Sequence, residues 1–310
     1  MITGPARQMP PVQQDNGTDD MSSSFQAVNA FLGITAIWQP IQTAGSTNRL
    51  FRTRLADRLL VLRINADDSR AFGVNRKTEA DVLKLIQAYG WAPKVLHNDW
   101  QAGWCLMSDH GESSADAEAR YGHEPEPEPE QSFSYAQELL SAVRQWQQIH
   151  NGPVFDYPAL YQRYRRLFED EKNSIWIALL EAIELVSRVL PKVPECLTHH
   201  DLHRGNLCVD RGRLVVLDWE YAAIGNPWFD AAALHRQLDI PAKQIATLPA
   251  WHAVTLTDFK AGLALAVWLA EALEVLWYEA RVDKKGANSD RNAQTEALLK
   301  VSAELLCRYA

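Results

Sequence analysis

The sequence has little that would direct it to nucleic acid or into a membrane. Acidic residues outnumber basic ones, 39 to 31, which gives a formal net charge of −8. A chain with this balance lacks the basic surface that binds phosphate backbones, so nucleic acid is excluded as the expected partner. No hydrophobic run reaches the roughly 20 apolar residues of a membrane span. The longest one, residues 262–277, contains Glu271 and Glu274 and predicts a buried helix instead.

Cysteine is also scarce. The chain has four, with neither a CxxC pair nor the spacing of a zinc site: Cys105, Cys196, Cys208 and Cys307. Reduced thiols in a cytoplasmic protein are the simplest interpretation. The first 24 residues contain no apolar core of the length that a signal peptide needs. Because the net charge is negative, we expect a small molecule as the partner, and a cationic one would be attracted. No pattern predicts an oligomeric state.

Composition divides the chain into four segments. Residues 1–24 are rich in Pro, Gln, Asp and Ser and predict a disordered tail. Residues 25–109 predict a small α+β lobe, and residues 134–310 predict a mostly helical lobe. Between them, residues 110–133 hold seven acidic residues, one arginine and alternating prolines, which is typical of a solvated insert or linker. A length of 310 residues is compatible with two lobes.

Within the first lobe, apolar and polar residues alternate over 48–56 and 58–66, with a turn between them, which predicts an antiparallel hairpin. Residues 75–90 carry apolar side chains at helical spacing and end in glycine, so a helix is expected there. Two more short apolar runs, 92–99 and 103–109, predict further strands. The expected order is therefore hairpin, helix and two strands.

A second hairpin stands out in the helical half of the sequence. The octapeptide "HHDLHRGN", residues 199–206, precedes two short apolar runs that flank a turn centred on Arg211. Facing residues of an antiparallel hairpin have position numbers with a constant sum, here about 422 to 424. Asn206 and Asp218 are therefore expected to face each other at the open end, with Asp201 entering the same place.

These side chains suit phosphoryl transfer from a nucleotide. An amide oxygen beside a carboxylate is a hard oxygen site of the kind that Mg²⁺ prefers when phosphates complete its shell. Asp201, close to the metal without binding it, could then accept the proton of an attacking hydroxyl. Two alternatives stay open: a polar turn before an ordinary hairpin, and a zinc metallohydrolase built on His199, His200 and His203 with Asp201.

The segments "HHDLHRGN", "VVLDWEYA" and "GNPWFDAAAL" resemble the aminoglycoside phosphotransferase and choline kinase superfamily, relatives of the protein kinases. The resemblance implies an α+β, two-lobed protein-kinase-like fold. Its N-lobe, residues 25–109, is a small antiparallel sheet that binds the nucleotide, and its mostly helical C-lobe, residues 134–310, holds the catalytic loop and the substrate pocket. The resemblance also implies that the protein uses ATP and Mg²⁺. It makes Asp201 the catalytic base, with His199 bracing its loop. Asn206 and Asp218 become the metal ligands.

The same resemblance assigns residues around the nucleotide. Arg63 stands where protein kinases keep a strand lysine, with Glu79 as its ion-pair partner. Met107 lies in the lobe connector, whose backbone would face adenine. The turn that would cover the phosphates consists of Gly45, Ser46, Thr47 and Asn48. Asp230 is either a structural aspartate that tethers the catalytic loop or a helix N-cap.

The acceptor is less well marked. On a helix that advances about 100° per residue, Trp268, Glu271 and Tyr278 share an arc of about 80°, and Trp277 lies opposite. An aromatic face beside a carboxylate suits a quaternary ammonium or thiazolium ion, although aromatic residues at this spacing also occur in ordinary cores. Trp219 and Glu220 follow the metal aspartate and are expected to touch the substrate.

This pattern favours choline or ethanolamine as the alcohol that is phosphorylated. Thiamine comes next, and a sugar or an aminoglycoside last. Two other classes of protein remain as alternatives to a kinase: a metallohydrolase and a catalytically inactive nucleotide-binding protein.

Overall fold

The computed structural model describes residues 18–41, 48–66, 72–114, 129–169, 175–281 and 289–309. These residues form two lobes, an antiparallel sheet followed by a mostly helical part, so the predicted α+β class is confirmed. None of the helices among the described residues is both long enough and apolar enough to cross a membrane.

The N-terminal lobe is a five-stranded antiparallel sheet with the strand order β1-β2-β3-β5-β4. Its strands are β1 (Gln39–Ile41), β2 (Arg49–Leu55), β3 (Arg58–Ile64), β4 (Val95–Asp99) and β5 (Trp104–Ser108). The predicted hairpin is β2 and β3, joined by a tight turn in which Ala56 has a φ of 51°. Strand β1 has only three residues and was not predicted.

Two helices pack on this lobe in different ways. Helix α1 (Thr18–Leu32) covers the sheet, where Val28 packs with Leu62 and Leu106. Helix α2 (Arg76–Ile86) begins after Asn75, whose side chain accepts a hydrogen bond from the Thr78 amide. The apolar face of α2 joins the core of the other lobe instead of the sheet. Helix α2 is therefore held mainly by the C-terminal lobe, although it follows the sheet strands in sequence.

The C-terminal lobe contains seven helices and four short strands among the described residues. The helices are α3 (Pro129–Trp146), α4 (Tyr157–Phe168), α5 (Ile175–Val189), α6 (Trp228–Arg236), α7 (Ala242–Ile245), α8 (Leu256–Arg281) and α9 (Ser289–Tyr309). Strands β6 (Cys196–Thr198) and β9 (Ala223–Gly225) pair with each other, as do β7 (Leu207–Asp210) and β8 (Arg213–Val216). Tryptophans fill the core: Trp91, Trp146 and Trp219 are in mutual contact.

Two predicted segment boundaries need correction. The tail was expected to reach residue 24, but α1 already begins at Thr18 and Ser24 is buried. The acidic insert was expected over 110–133, but its first residues are built into the fold. Ser113 forms a β-bridge with Cys208, and α3 starts at Pro129. Residues 1–17 and 115–128 lie outside the described residues.

The connector between the lobes is held at its end by His110, which is buried. Its Nε2 accepts a hydrogen bond from the Lys94 amide in the N-terminal lobe, at 3.1 Å. Its Nδ1–H donates to the carboxylate of Asp210 in the C-terminal lobe, also at 3.1 Å. One imidazole therefore contacts both lobes beside the cleft that separates them.

Candidate active site

The catalytic loop, residues 199–206, is tethered to helix α6 by Asp230. This buried carboxylate accepts hydrogen bonds from the amides of His199 and His200, at 3.0 to 3.1 Å, and from the indole N–H of Trp146. Burial raises the pKa of Asp230 to about 6, although these hydrogen bonds act to lower it. The N-cap of α6 is Pro227, so of the two predicted roles the structural tether is correct.

His199 lies under the loop and does not reach the cleft. It is fully buried against Trp219. Its Nε2–H donates to the Leu217 carbonyl at 2.9 Å, and its Nδ1 accepts from the Asp201 amide at 3.3 Å. Burial lowers its pKa to about 4. A neutral ring with both nitrogens engaged is a brace for the loop and for Asp201, as the sequence resemblance implied.

Asp201 stands at the floor of the cleft. Its side chain is 41% exposed, and the exposed part faces the cleft, which it lines. Withdrawal from bulk water raises the pKa of Asp201. The electrostatic interaction with His203 acts to lower this pKa, and the negative charge of Glu220 acts to raise it. The amide nitrogen of Asn206 donates to the Asp201 carbonyl at 2.8 Å. This bond fixes the orientation of the Asn206 amide, so that its oxygen is left for another partner.

The hairpin of β7 and β8 brings Asp218 to this loop with a register one residue different from the prediction. Paired positions sum to 423, as in Leu207 and Val216, so Asn206 faces Leu217. Asp218 follows directly, in a left-handed conformation with a φ of 58°. This conformation is uncommon outside glycine, and it turns the carboxylate into the cleft, which Asp218 lines.

Across the cleft, Arg63 of β3 and Glu79 of α2 form a buried ion pair. Arg63 Nη1 lies 2.6 Å from Glu79 Oε1 and 3.5 Å from the Asp218 carboxylate. Burial opposes ionisation of Glu79, but Arg63 and Arg76 outweigh it and lower the pKa of Glu79. Burial also opposes the charge on Arg63, and the same ion pair raises its pKa above the ordinary value. The predicted pair is therefore present and charged.

Arg76 and Asn48 extend this pair into a polar link between the lobes. Arg76 donates to Glu79 at 3.1 Å and to Glu220 at 2.8 Å. It also donates to the Asn48 oxygen at 2.9 Å, and the Asn48 nitrogen donates to Glu220 at 2.9 Å. Arg76 was not predicted, although it lies three residues from Glu79 on the same helix face. The other three residues of the predicted phosphate turn, Gly45, Ser46 and Thr47, lie outside the described residues.

Two polar atoms in this network make no hydrogen bond within the described part of the chain, although Asp218 Oδ1 lies 3.5 Å from Arg63 Nη1 in an ion pair. Arg63 Nη2 and Asp218 Oδ1 are both buried and make no hydrogen bond, and both residues line the cleft. A buried donor and a buried acceptor in this state favour a ligand that satisfies them. A phosphate oxygen fits the guanidinium, and a divalent cation fits the carboxylate oxygen beside the Asn206 amide. The residues present therefore suit a magnesium nucleotide.

The histidines of the loop do not form a zinc site. His200 Nδ1–H donates to the Thr198 carbonyl, and its Nε2 accepts from the Tyr157 hydroxyl at 2.6 Å. His203 Nδ1 accepts from the Gly205 amide, and both nitrogens of His199 are engaged. Within the described part of the chain, no three His, Cys, Asp or Glu side chains are placed to hold one ion. The alternative of a histidine-bound zinc is therefore not supported.

The cleft has a volume of about 1310 Å³. Arg63, Met107 and Asn48 line it from the N-terminal lobe, and Asp201 and Asp218 from the C-terminal lobe. Single ligands occupy pockets of about 300 to 1,000 Å³. This cleft therefore has room for two substrates with the catalytic loop between them.

Several of the predicted acceptor residues are elsewhere. Trp219 is fully buried in the core, where its indole donates to the Val216 carbonyl. Trp268 is also buried and donates to the Leu298 carbonyl. Glu271 does not line the cleft and pairs with Arg236. Their placement at the substrate is corrected: Trp219 packs against Trp91 and Trp146 in the core, and α8 turns a face other than that of Trp268 and Glu271 to the cleft. Of the predicted set, Glu220 and Tyr278 do line it.

The face of α8 that lines the cleft includes Ala270, Leu273, Glu274 and Trp277. Trp277, expected on the opposite side, donates from its indole to the Tyr221 hydroxyl at 3.0 Å. Sequence reasoning also missed four aromatic residues that line the same cleft: Phe155, Tyr157, His200 and Phe229. A period of three to four residues from Ala270 would have found Trp277, but the others come from separate elements and share no sequence pattern.

The phosphotransferase enzyme family (APH) matches residues 38–259 of the chain. The chain belongs to this family. Among curated proteins, none matches the sequence. The family assignment confirms the superfamily named from the sequence, and with it the class of enzyme, a small-molecule phosphotransferase that acts on hydroxyl groups.

Solved structures of choline kinases and aminoglycoside phosphotransferases are similar to the chain in fold. The choline kinase LicA from Streptococcus pneumoniae aligns with a TM-score of 0.65 over 94% of this chain and 100% of its own, at 16% identity. A choline/ethanolamine kinase family protein from Mesorhizobium loti aligns with a TM-score of 0.63 over 93% and 94%, at 19% identity. The aminoglycoside phosphotransferase APH(4)-Ia, in a ternary complex with ADP and hygromycin B, aligns at 0.57 over 91% and 98%, at 16% identity. These likenesses show the kinase-like fold.

Proposed function

We propose that this phosphotransferase transfers the γ-phosphoryl group of ATP to the hydroxyl of a small cationic alcohol, with choline or ethanolamine favoured. One observation carries the proposal. Asp201, Asn206 and Asp218 line one cleft with Arg63, and two buried polar atoms of this set, Arg63 Nη2 and Asp218 Oδ1, make no hydrogen bond within the described part of the chain. A base, an oxygen site for a cation and a phosphate anchor are the parts that phosphoryl transfer requires.

On the nucleotide side, Arg63 anchors phosphate oxygens through its unpartnered nitrogen. Glu79 holds the guanidinium in place from behind. Asn48 sits at the end of the predicted phosphate turn, and Met107 lines the cleft at the connector. The ADP that APH(4)-Ia binds supports nucleotide use at this position of the fold.

The Asn206 oxygen and the Asp218 carboxylate are the proposed Mg²⁺ ligands. Both atoms are oxygens, and they lie on adjacent positions of one hairpin. A bound Mg²⁺ would neutralise charge on the phosphates. Asp201 accepts the proton of the acceptor hydroxyl, and the Asn206 bond to its carbonyl keeps the loop in register for that contact.

The acceptor end of the cleft supports a cationic alcohol. Asp201 contributes negative charge there, with Tyr221 and Trp277 as aromatic neighbours. The carboxylates of Glu220 and Glu274 also line the cleft and are paired with Arg76 and Arg236. Aromatic faces combined with carboxylates attract ammonium groups. Two structures of similar fold support the same choice: one is a choline kinase by name, and the other is a choline/ethanolamine kinase family protein.

Thiamine is the second candidate. The cleft is lined by more aromatic rings than a small alcohol needs, among them Phe72, Tyr164 and Tyr278. Flat heteroaromatic groups bind to such surfaces by stacking.

The cytoplasmic location of the protein stays a prediction.

The test is ADP release with Mg·ATP across choline, ethanolamine, thiamine, homoserine, a sugar and an aminoglycoside. Turnover with a cationic alcohol is expected. Asp201→Asn is expected to lower kcat by about 10²-fold or more, since general base catalysis supplies about that factor. The matched control is Asp57→Asn in the exposed β2–β3 turn, which should leave kcat unchanged.

Near-full activity of Asp201→Asn would contradict the role of the base. Thermal stabilisation by ATP without ADP release from any alcohol would instead identify an inactive nucleotide-binding protein. Hydrolysis that depends on zinc and needs no nucleotide would identify a metallohydrolase.

A further inference from the structure

Four aromatic rings beside Asp201 form one continuous surface, here called the aromatic wall: Phe155, Tyr157, His200 and Phe229. Phe155 stacks on His200 with ring centroids 4.3 Å apart. Tyr157 stacks on Phe229 at 5.4 Å, and His200 lies 5.4 Å from Phe229. All four line the cleft. Because His200 precedes Asp201 in the chain, the wall borders the position of the reacting hydroxyl.

The backbone is constrained at two positions to hold this wall. His200 has a φ of 65°, a left-handed conformation that is disfavoured for histidine. Gly225 of β9 gives it room: a Cβ there would lie 2.7 Å from the Tyr157 hydroxyl and 2.9 Å from His200 Cε1. Strained backbone retained at a cleft is an observation that favours a functional role.

Every polar atom of the wall has a partner within the protein. His200 Nδ1–H donates to the Thr198 carbonyl at 3.1 Å. The Tyr157 hydroxyl donates to His200 Nε2 at 2.6 Å and accepts from the Asn226 amide at 2.8 Å. The hydrogen-bonding atoms of the wall's side chains are therefore already engaged, and what the wall contributes to the cleft lining is its aromatic rings.

The wall is also uncharged. Burial lowers the pKa of His200 to about 3, so the ring does not repel a cation. Negative charge in the same cleft comes from Asp201, while Glu274 is paired with Arg236, which also lines the cleft. Attraction of a cation is therefore independent of the wall, whereas the surface that the cation contacts is set by it.

We propose that the aromatic wall selects a fully methylated ammonium group over a primary one, so that it is the specificity determinant for the acceptor. A trimethylammonium group has no N–H and gains from contact with ring faces. A primary ammonium brings three donors to a surface with no vacant acceptor, and unmade hydrogen bonds of this kind discriminate by about tenfold or more. The proposal rests on the proposed function, a kinase for a cationic alcohol.

The test is a methylation series at saturating Mg·ATP: ethanolamine, its N-methyl and N,N-dimethyl forms, and choline. The native enzyme should show kcat/KM rising along the series by at least about tenfold. His200→Asn, which tolerates a positive φ and adds hydrogen-bonding groups to the wall, and Phe229→Leu, which removes a ring, should each reduce the choline preference about fivefold or more. The change should be in the acceptor KM, with the KM for ATP unaltered.

The matched control is Phe31→Leu, because Phe31 is 49% exposed and lies outside the cleft. It should leave the series unchanged. An unchanged choline preference in both folded wall variants would overturn the inference, as would a native preference for ethanolamine, and either result leaves the proposed function standing.

Absence of turnover with all four alcohols would instead contradict the proposed function. The wall is then tested by calorimetric titration of choline and ethanolamine into the enzyme with Mg·ADP. Choline should bind at least about tenfold more tightly, and His200→Asn should remove the difference. Equal binding, or no binding of either alcohol, would overturn the inference.

Discussion

Replacing Glu79 by Gln is the sharpest test of the buried network, because this carboxylate is 1% exposed and serves two guanidiniums. In the native chain Arg63 Nη1 lies 2.6 Å from Glu79 Oε1, and Arg76 donates to Oε2 at 3.1 Å. The substitution keeps the shape and one acceptor oxygen. It removes the negative charge and leaves Arg63 with the carboxylate of Asp218 at 3.5 Å.

The magnitude follows from the burial. Removing one partner of a buried ion pair costs about 3 to 5 kcal/mol. The retained amide oxygen still accepts one hydrogen bond, so we expect the free energy of unfolding to fall by about 3 kcal/mol, the lower end of that range. Arg63 also loses the contact that aims it at phosphate. The KM for ATP should therefore rise about tenfold, equivalent to about 1.4 kcal/mol.

The effect should depend on pH. Arg63 and Arg76 outweigh burial and lower the pKa of Glu79 from its ordinary value of 4.5. A lowered folded-state pKa contributes stability that is fully present above the ordinary value and is lost as the pH falls through the folded one. The difference in stability between native and Glu79→Gln enzyme should thus be constant from pH 6 to 8 and shrink below about 4.5.

Urea unfolding at a series of pH values measures both quantities, and ATP titration of the initial rate gives the KM. The control is Glu181→Gln, since the Glu181 side chain is 62% exposed and 3.9 Å from Arg165. That change should stay within about 0.5 kcal/mol. A Glu79→Gln protein as stable as the native one at pH 7, with the same KM for ATP, would refute the reasoning.

Two more substitutions test the hairpin and the strand beside it. Asp218→Asn keeps a residue that tolerates the φ of 58° and should raise the Mg²⁺ concentration for half-maximal rate at least about tenfold; an unchanged Mg²⁺ titration would contradict the ligand role. Gly225→Ala places a Cβ 2.7 Å from the Tyr157 hydroxyl. It should lower the free energy of unfolding by about 1 to 3 kcal/mol and raise the acceptor KM, and native values of both would show that the strand moves freely there.

The residues of the proposed nucleotide and metal site could be predicted because they lie close in sequence or on regular elements. Asp201, Asn206 and Asp218 are joined by one hairpin, and strand β3 and helix α2 each carry one member of the Arg63–Glu79 pair. Hairpin geometry limited the register to within one residue, but the exact register depends on the turn, in which Arg211 and Gly212 both have positive φ. Residue type at position 211 gives no sign of that conformation.

The acceptor end could not be predicted in the same way. Helix α8 is apolar on most of its circumference, so its pattern does not say which face is core and which faces the cleft. Trp268 and Trp277 are nine residues apart and look alike in sequence, yet the first is buried against α9 and the second lines the cleft. The aromatic wall draws on four separate elements, and only the tertiary fold brings them together.

The double contact of His110 has a consequence for the speed of the catalytic cycle. Its ring is bonded to the Lys94 amide on one lobe and to Asp210 on the other. Separation of the lobes beyond a small rotation must break one of these bonds, each worth about 1 kcal/mol net. Product that leaves through the opening created by this separation would require such a break, and release limits the turnover of many enzymes. The imidazole of His110 would thus influence the rate of product release, although it takes no part in the transfer of the phosphoryl group.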